Sequence, residues 1–159
     1  MPDTAIDVFK RTKELNSNDP LREGNIIHLP SEGRLIITGD LHGNVWAFEQ
    51  IIAYADLAAN PDTHIIFHEI IHGGPSDAAG CCLSFKLLQR AAAYKLEYPE
   101  NVHFVMGNHD VSAIKESNVL REGREMTTAF SCGLQSHFGE KADMVNLAMK
   151  QMLFSQALA

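Results

Sequence analysis

Arg34-Leu35-Ile36-Ile37-Thr38-Gly39-Asp40-Leu41-His42-Gly43-Asn44 is the stretch that decides the fold. Its first five residues, Arg34 to Thr38, form a short β-branched run with the look of a buried strand. The run stops at Gly39-Asp40, a turn pair, and Asn44 then stands where a helix N-cap belongs. After it, Val45, Phe48, Ile51, Ile52 and Ala55 fall three or four apart and predict an amphipathic helix. The same alternation repeats downstream. His64–Glu69 reads as a strand, Asp77–Leu96 as a long helix with Phe85, Leu88, Ala92 and Leu96 in register, and Val102–Met106 as a strand closed by Gly107. Strands and helices alternating at this length predict an α/β fold built as βαβαβ around a parallel sheet.

The flanks are less regular. Ala5 to Leu15 carries Ile6, Phe9 and Leu15 at loose helical spacing and reads as a peripheral helix, ended by the polar run Asn16 to Pro20. The stretch Leu120 to Glu140 mixes turn and strand features, and Ala142–Ala159 is a helical pattern with an apolar finish. Residues 1–24 are therefore expected to form a helical extension and 25–159 the main domain.

Composition narrows the chemistry. The chain has 159 residues, 45% hydrophobic and 21% charged, enough for one buried core. With 13 Lys and Arg against 20 Asp and Glu the net charge is −7, which gives no support to binding nucleic acid or an anionic membrane and suits a cation. No run approaches the about 18 apolar residues of a membrane span, and MPDTAIDVFKRTK lacks the apolar core of a signal peptide. The expectation is a cytoplasmic protein. Cys81 and Cys82 are neighbours without metal-binding spacing, and all three cysteines are expected to be reduced thiols.

Three polar blocks follow three apolar strands: Gly39-Asp40-Leu41-His42-Gly43-Asn44, His68-Glu69-Ile70-Ile71-His72-Gly73-Gly74 and Gly107-Asn108-His109-Asp110. In a parallel sheet, ligand sites lie at the carboxyl ends of the strands, which is where these blocks fall. Each has an ordinary reading alone. Gly-Asp and Gly-Asn are turn pairs, and a histidine at a helix entry can be a cap. Turn chemistry does not require imidazole three times over, however. Carboxylate, imidazole and amide oxygen together make a mixed O/N set that suits Mn, Fe or Zn.

From Arg34 to Asp110, the blocks resemble those of the calcineurin-like metallophosphoesterase superfamily, GDxHG, GDxxDRG and GNH followed by Asp or Glu. The first and third match without a gap, and GDLHGN with GNHD is more similar to the serine/threonine-phosphatase and diadenosine-tetraphosphatase branch than to the nuclease branch. The resemblance implies a centre of two divalent or trivalent metal ions, with Asp40 and His42 on the first, Asn108 on the second and Glu69 as the bridging carboxylate. It implies His109 as general acid or phosphate contact, with Asp110 orienting it. The implied activity is hydrolysis of a phosphorylated small molecule, nucleotide or phosphoprotein by metal-activated water.

The middle block departs from the pattern. Glu69 stands for the bridging Asp, His72 for the second Asp and Gly73 for the Arg, which removes a phosphate clamp. His68 or His72 can compensate or be loop histidines. The same five residues spell HExxH, a zinc-peptidase signature, but that chemistry needs a helix which Gly73-Gly74-Pro75 would break. After Asp110 the only histidine is His137, in a context unlike the family's later ligands, and it is expected to be structural or exposed. The implied fold is one half of a four-layer αββα sandwich, and the expectation is the N-terminal portion of a longer phosphoesterase, with an apolar sheet face free to self-associate. A non-catalytic relic or regulatory fragment is the alternative in a different class.

Overall fold

The computed structural model describes residues 2–115, 120–121 and 124–158. The chain begins with α1 (Pro2–Ser17) and enters the sheet at β1 (Arg34–Asp40). Then come α2 (Val45–Ala55), β2 (Thr63–His68), α3 (Phe85–Glu97), β3 (Val102–Met106), α4 (Asn108–Lys115), α5 (Met126–Phe138), α6 (Ala142–Phe154) and β4 (Ala157–Leu158). The four strands form one parallel sheet in the order β1-β2-β3-β4. This is the α/β architecture that the sequence predicts. Among the described residues no helix is long and apolar enough to cross a membrane.

The sheet is two-faced because strand residues alternate. Ile36 pairs with Ile65, Ile65 with Val102 and Phe67 with Phe104, which sets one aliphatic and aromatic face. Phe48 of α2 packs on Phe67 with ring centroids 5.3 Å apart, and Tyr94 of α3 meets Phe48 edge-on. On the opposite face, in register with His64 and Ile66, Leu35 and Ile37 of the edge strand are 47% and 67% exposed. The N-cap expected at Asn44 is made: its Oδ1 accepts the Ala47 backbone N–H at 2.9 Å.

Five sequence expectations are corrected. The first helix is not peripheral, for Ala5, Phe9, Thr12 and Asn16 make a buried stripe and α1 packs against α3 and α6. Two of those residues are polar, which hides the stripe from a hydrophobic pattern; Thr12 Oγ1 donates to the Ala92 carbonyl and Asn16 Nδ2 to Ser155 Oγ. The long helix α3 starts at Phe85 rather than Asp77, because the Asp77 carboxylate accepts the N–H groups of Ala79 and Cys81 and closes a turn instead. The last helix ends at Phe154, and Ala157–Leu158 then joins the sheet beside β3. Arg22 helps to hold that ending by donating to the Ser155 and Gln156 carbonyls. The mixed stretch from Leu120 is largely helix, as α5; Glu122 and Gly123 within it, like the final Ala159, lie outside the described residues.

The fifth correction concerns the cysteines: Cys81 and Cys132 are joined in a disulfide and only Cys82 is free. Tertiary packing brings them together. A Cβ at Gly133 would run into the Cys82 carbonyl, and Cys82 N–H donates to the Ala129 carbonyl at 2.9 Å, so α5 lies directly on the segment that carries Cys81.

A buried polar cluster underlies the sheet. Asp19 Oδ2 is 3.3 Å from Lys95 Nζ and 3.2 Å from His103 Nδ1, and His103 Nε2 is 3.1 Å from His64 Nδ1. Burial, reinforced by the Lys95 charge and only partly offset by Asp19, pushes His103 down to about 4. For Asp19, burial favours the neutral acid, but the Leu21 N–H, Lys95 and His103 outweigh it and hold the carboxyl below its ordinary value. A histidine neutral in the folded chain stabilises it above the unfolded value of 6.5, and that stabilisation is lost as pH falls from 6.5 toward 4. The loss from this group is about 3 kcal/mol. Urea unfolding of wild type and His103→Gln across this range should show the smaller pH dependence in the variant.

Candidate metal centre

The ends of β1 and β2 are joined beyond the regular ladder. Leu41 N–H and His42 N–H both donate to the Glu69 carbonyl, at 3.0 and 2.9 Å, and Gly43 N–H donates to the Ile70 carbonyl at 2.7 Å. To make these bonds the chain turns through the left-handed region at His42 (φ 42°), Glu69 (φ 39°) and His72 (φ 61°). Such backbone costs about 1–3 kcal/mol per residue and collects at functional sites. The two loops also touch backbone to backbone. A Cβ at Gly43 would come 2.6 Å from the Gly73 carbonyl oxygen, and one at Gly74 2.7 Å from Gly43 itself.

Within this frame the polar side chains converge. Glu69 is 2% exposed; its Oε1 accepts the His109 backbone N–H at 3.1 Å, and its Oε2 is 3.8 Å from His42 Nε2. His42 Nδ1 lies 3.1 Å from the Ile71 carbonyl, which can only accept, so Nδ1 carries a proton and Nε2 is the nitrogen that faces the carboxylates. That nitrogen is also 3.5 Å from Asp40 Oδ2. Asp40 is tied on its other oxygen to His68 Nδ1 at 2.9 Å, with His68 N–H anchored on Thr38 Oγ1. The His109 ring meets the His42 ring edge-on at 4.8 Å.

Behind them is a drier layer. His72 is buried, 5.9 Å from the His109 ring centroid and 5.0 Å from Phe130 of α5. Burial, then the His109 and His42 charges, push it down to about 4, so it is neutral near pH 7. Asp110 is also buried. Its Oδ2 accepts the Gly107 N–H at 3.0 Å, and its Oδ1 has no hydrogen-bond partner among the described residues. Burial and, against the Gly107 N–H, the nearby Glu69 raise Asp110 to about 6.

The candidates named from the sequence therefore separate. Asp40, His42, Glu69 and His109 are brought together; Asn108 opens α4 beside them and is exposed. The expected Asp110–His109 bond is not formed, because Asp110 caps the β3–α4 turn at Gly107 instead. His137 is exposed on α5, against Phe85 and Phe138, as expected. The HExxH reading fails on backbone grounds: His68 ends a strand and Glu69 and His72 are left-handed, so the two histidines cannot share a helical face. Phe130, which walls His72, belongs to a segment with no motif and was not legible in the sequence.

The donor chemistry fits a divalent transition ion. One ligand atom each from His42, Glu69 and His109 lie within 4.8 Å of one another, and two imidazoles with a carboxylate suit Zn, Fe or Mn. Residues 33–147 match the family profile of the calcineurin-like phosphoesterases. The chain belongs to that family, and its parallel sheet with flanking helices is consistent with half of the metallophosphoesterase fold. No curated protein matches the chain.

Two glycines test the construction. A Cβ at Gly107 would fall inside the buried Glu69 side chain, whereas one at Gly74 meets backbone at φ 69°. Gly107→Ala should thus push Glu69 off the His109 N–H and weaken metal binding by about tenfold or more, with some loss of stability as well. Gly74→Ala should cost about 2 kcal/mol or more of stability. Calorimetric metal titration and thermal melts separate the two effects.

Proposed function

We propose that the chain is a metal-dependent phosphoester hydrolase acting on a phosphorylated small molecule, nucleotide or protein. The observation that carries this reading is the convergence of His42 Nε2, the buried Glu69 carboxylate and His109 at the carboxyl ends of adjacent parallel strands. A divalent ion held there supplies Lewis acidity toward a phosphoryl oxygen and toward water. The family pattern adds Asp40 beside His42 and Asn108 beside His109 as donors for a two-ion form, with Glu69 between them.

The chain's own residues hold and orient. Glu69 is fixed by the His109 N–H, and the His42 tautomer is fixed by the Ile71 carbonyl. Glycine at position 73 replaces the arginine of the family pattern, so anion contact passes to imidazoles. His72, neutral and buried, is poorly suited to it; His109 and His68 stand at the open side. The exposed Leu35 and Ile37 face is proposed as the surface through which copies of the chain associate.

Hydrolysis of para-nitrophenyl phosphate with added Mn²⁺ tests the proposal. Wild type should turn over, EDTA should abolish the activity, and Glu69→Gln or His109→Asn should lower it by about 10²–10⁴-fold. Metal binding by wild type without turnover would favour the non-catalytic alternative, which the altered middle block motivates.

A further inference from the structure

We infer that the Cys81–Cys132 disulfide is a reversible redox site, opened at Cys132 by a small peptidic thiol of the glutathione class that enters the cleft between α5 and α6. The two ends of the bond are unequal. Cys81 is 3% exposed, whereas Cys132 is exposed on α5 and lines a cleft of about 530 Å³. Ser131, Gln135, Asp143 and Asn146 line the same cleft and offer hydroxyl, amide and carboxylate groups to the amides and ammonium of such a thiol. Thiol–disulfide exchange is governed by which sulfur the attacking thiolate reaches, and from this side it reaches Cys132 Sγ.

The third cysteine stays out of the exchange. Cys82 is 3% exposed, and its Sγ lies 3.5 Å from the Gly73 carbonyl and 3.2 Å from Ser84 Oγ. It is therefore a buried, hydrogen-bonded thiol of low reactivity, although it adjoins Cys81 in the chain.

Other groups hold the packing around the bond, so opening it leaves the fold standing. Asp77 Oδ1 accepts the Cys81 N–H at 2.9 Å, and Asp77 N–H donates to the Cys81 carbonyl at 3.0 Å. Next to it, Cys82 N–H donates to the Ala129 carbonyl, and Gly133 lets α5 lie against the Cys82 carbonyl. Cys81 and Cys132 thus remain neighbours after reduction, which favours re-closure. What the bond adds is a limit on local opening of α5, because a crosslink across 51 residues removes open conformations. Phe130 on the same helix walls His72, so freedom gained by α5 reaches the apolar layer behind the strand ends.

The exchange balances with glutathione as the named co-reactant. Its thiolate forms a sulfur–sulfur bond to Cys132 Sγ, and Cys81 leaves as a thiolate that takes up a proton. A second glutathione thiolate attacks the glutathione sulfur of the mixed disulfide, which frees Cys132 and releases oxidised glutathione. The chain gains two electrons and two glutathiones lose them; oxidised glutathione drives the reverse course.

Treatment of the native, oxidised full chain with reduced glutathione, followed by acid quench and peptide mass mapping, tests this. A glutathione adduct on Cys132 is expected, and full reduction should leave the far-ultraviolet circular dichroism intact. Amides of residues 126–138 should then exchange with deuterium about tenfold or more faster, and oxidised glutathione should restore their protection. Cys132→Ser should show the faster exchange under either condition, and Cys82→Ser should keep both adduct and response. A disulfide that resists glutathione until denaturant is added overturns the inference, as does an adduct on Cys81 or Cys82. Reduction that unfolds the chain, or that leaves exchange in α5 unchanged, overturns it too. The mapping on the wild-type chain decides the question even where Cys132→Ser fails to fold.

Discussion

The hydrogen bonds that Leu41 and His42 N–H make to the Glu69 carbonyl are the constraint on which the site depends. They carry the β1–β2 pairing past the end of the sheet and into two loops that would otherwise part. The same residue then acts twice, since its buried side chain accepts from His109 on the neighbouring unit. Three successive βα connections are thereby fastened through Glu69, and the polar groups they carry have little freedom to spread. Glycines at 43, 74 and 107 make this possible by giving up the volume of a side chain where backbone or Glu69 needs it.

Electrostatics reinforce the arrangement. Withdrawal from water leaves His72 neutral, and holds Asp110 toward its protonated form against the pull of the Gly107 N–H. Asp40 and the outer edge of His42 keep access to solvent. A site with dry backing and a wet mouth suits a bound ion that must meet a polar substrate. Left-handed backbone at His42, Glu69 and His72 is the cost of aiming three non-glycine side chains inward, and neighbouring hydrogen bonds offset it.

The middle strand end illustrates how a departure from a family pattern is absorbed. Replacing the usual aspartate, Glu69 is one methylene longer, and a glycine at 107 leaves room for the extra length. His68 takes a position that is glycine in the pattern, and its ring meets Asp40. His72 takes the position of a second aspartate and turns back into the apolar layer against Phe130. The two histidines that looked alike as letters thus have different environments: one binds a carboxylate at the surface, and the other is sealed.

The sequence by itself determined the alternation of strands and helices, the parallel sheet, the Asn44 cap and the three polar blocks, because each is a local pattern of period, turn chemistry or spacing. It also determined which residue types could meet a cation. Only the tertiary structure decided which of them converge, since Asp40, His42, Glu69 and His109 come from three separate connections and their distances depend on how the loops pack. The same holds for the buried stripe of α1, where Thr12 and Asn16 are polar letters satisfied by distant partners, and for the Cys81–Cys132 bond across 51 residues. Asp110 makes the distinction most plainly. Its place after His109 suggested one bond, and the packing of the β3–α4 turn supplied another, because a buried carboxylate takes the nearest N–H that geometry offers.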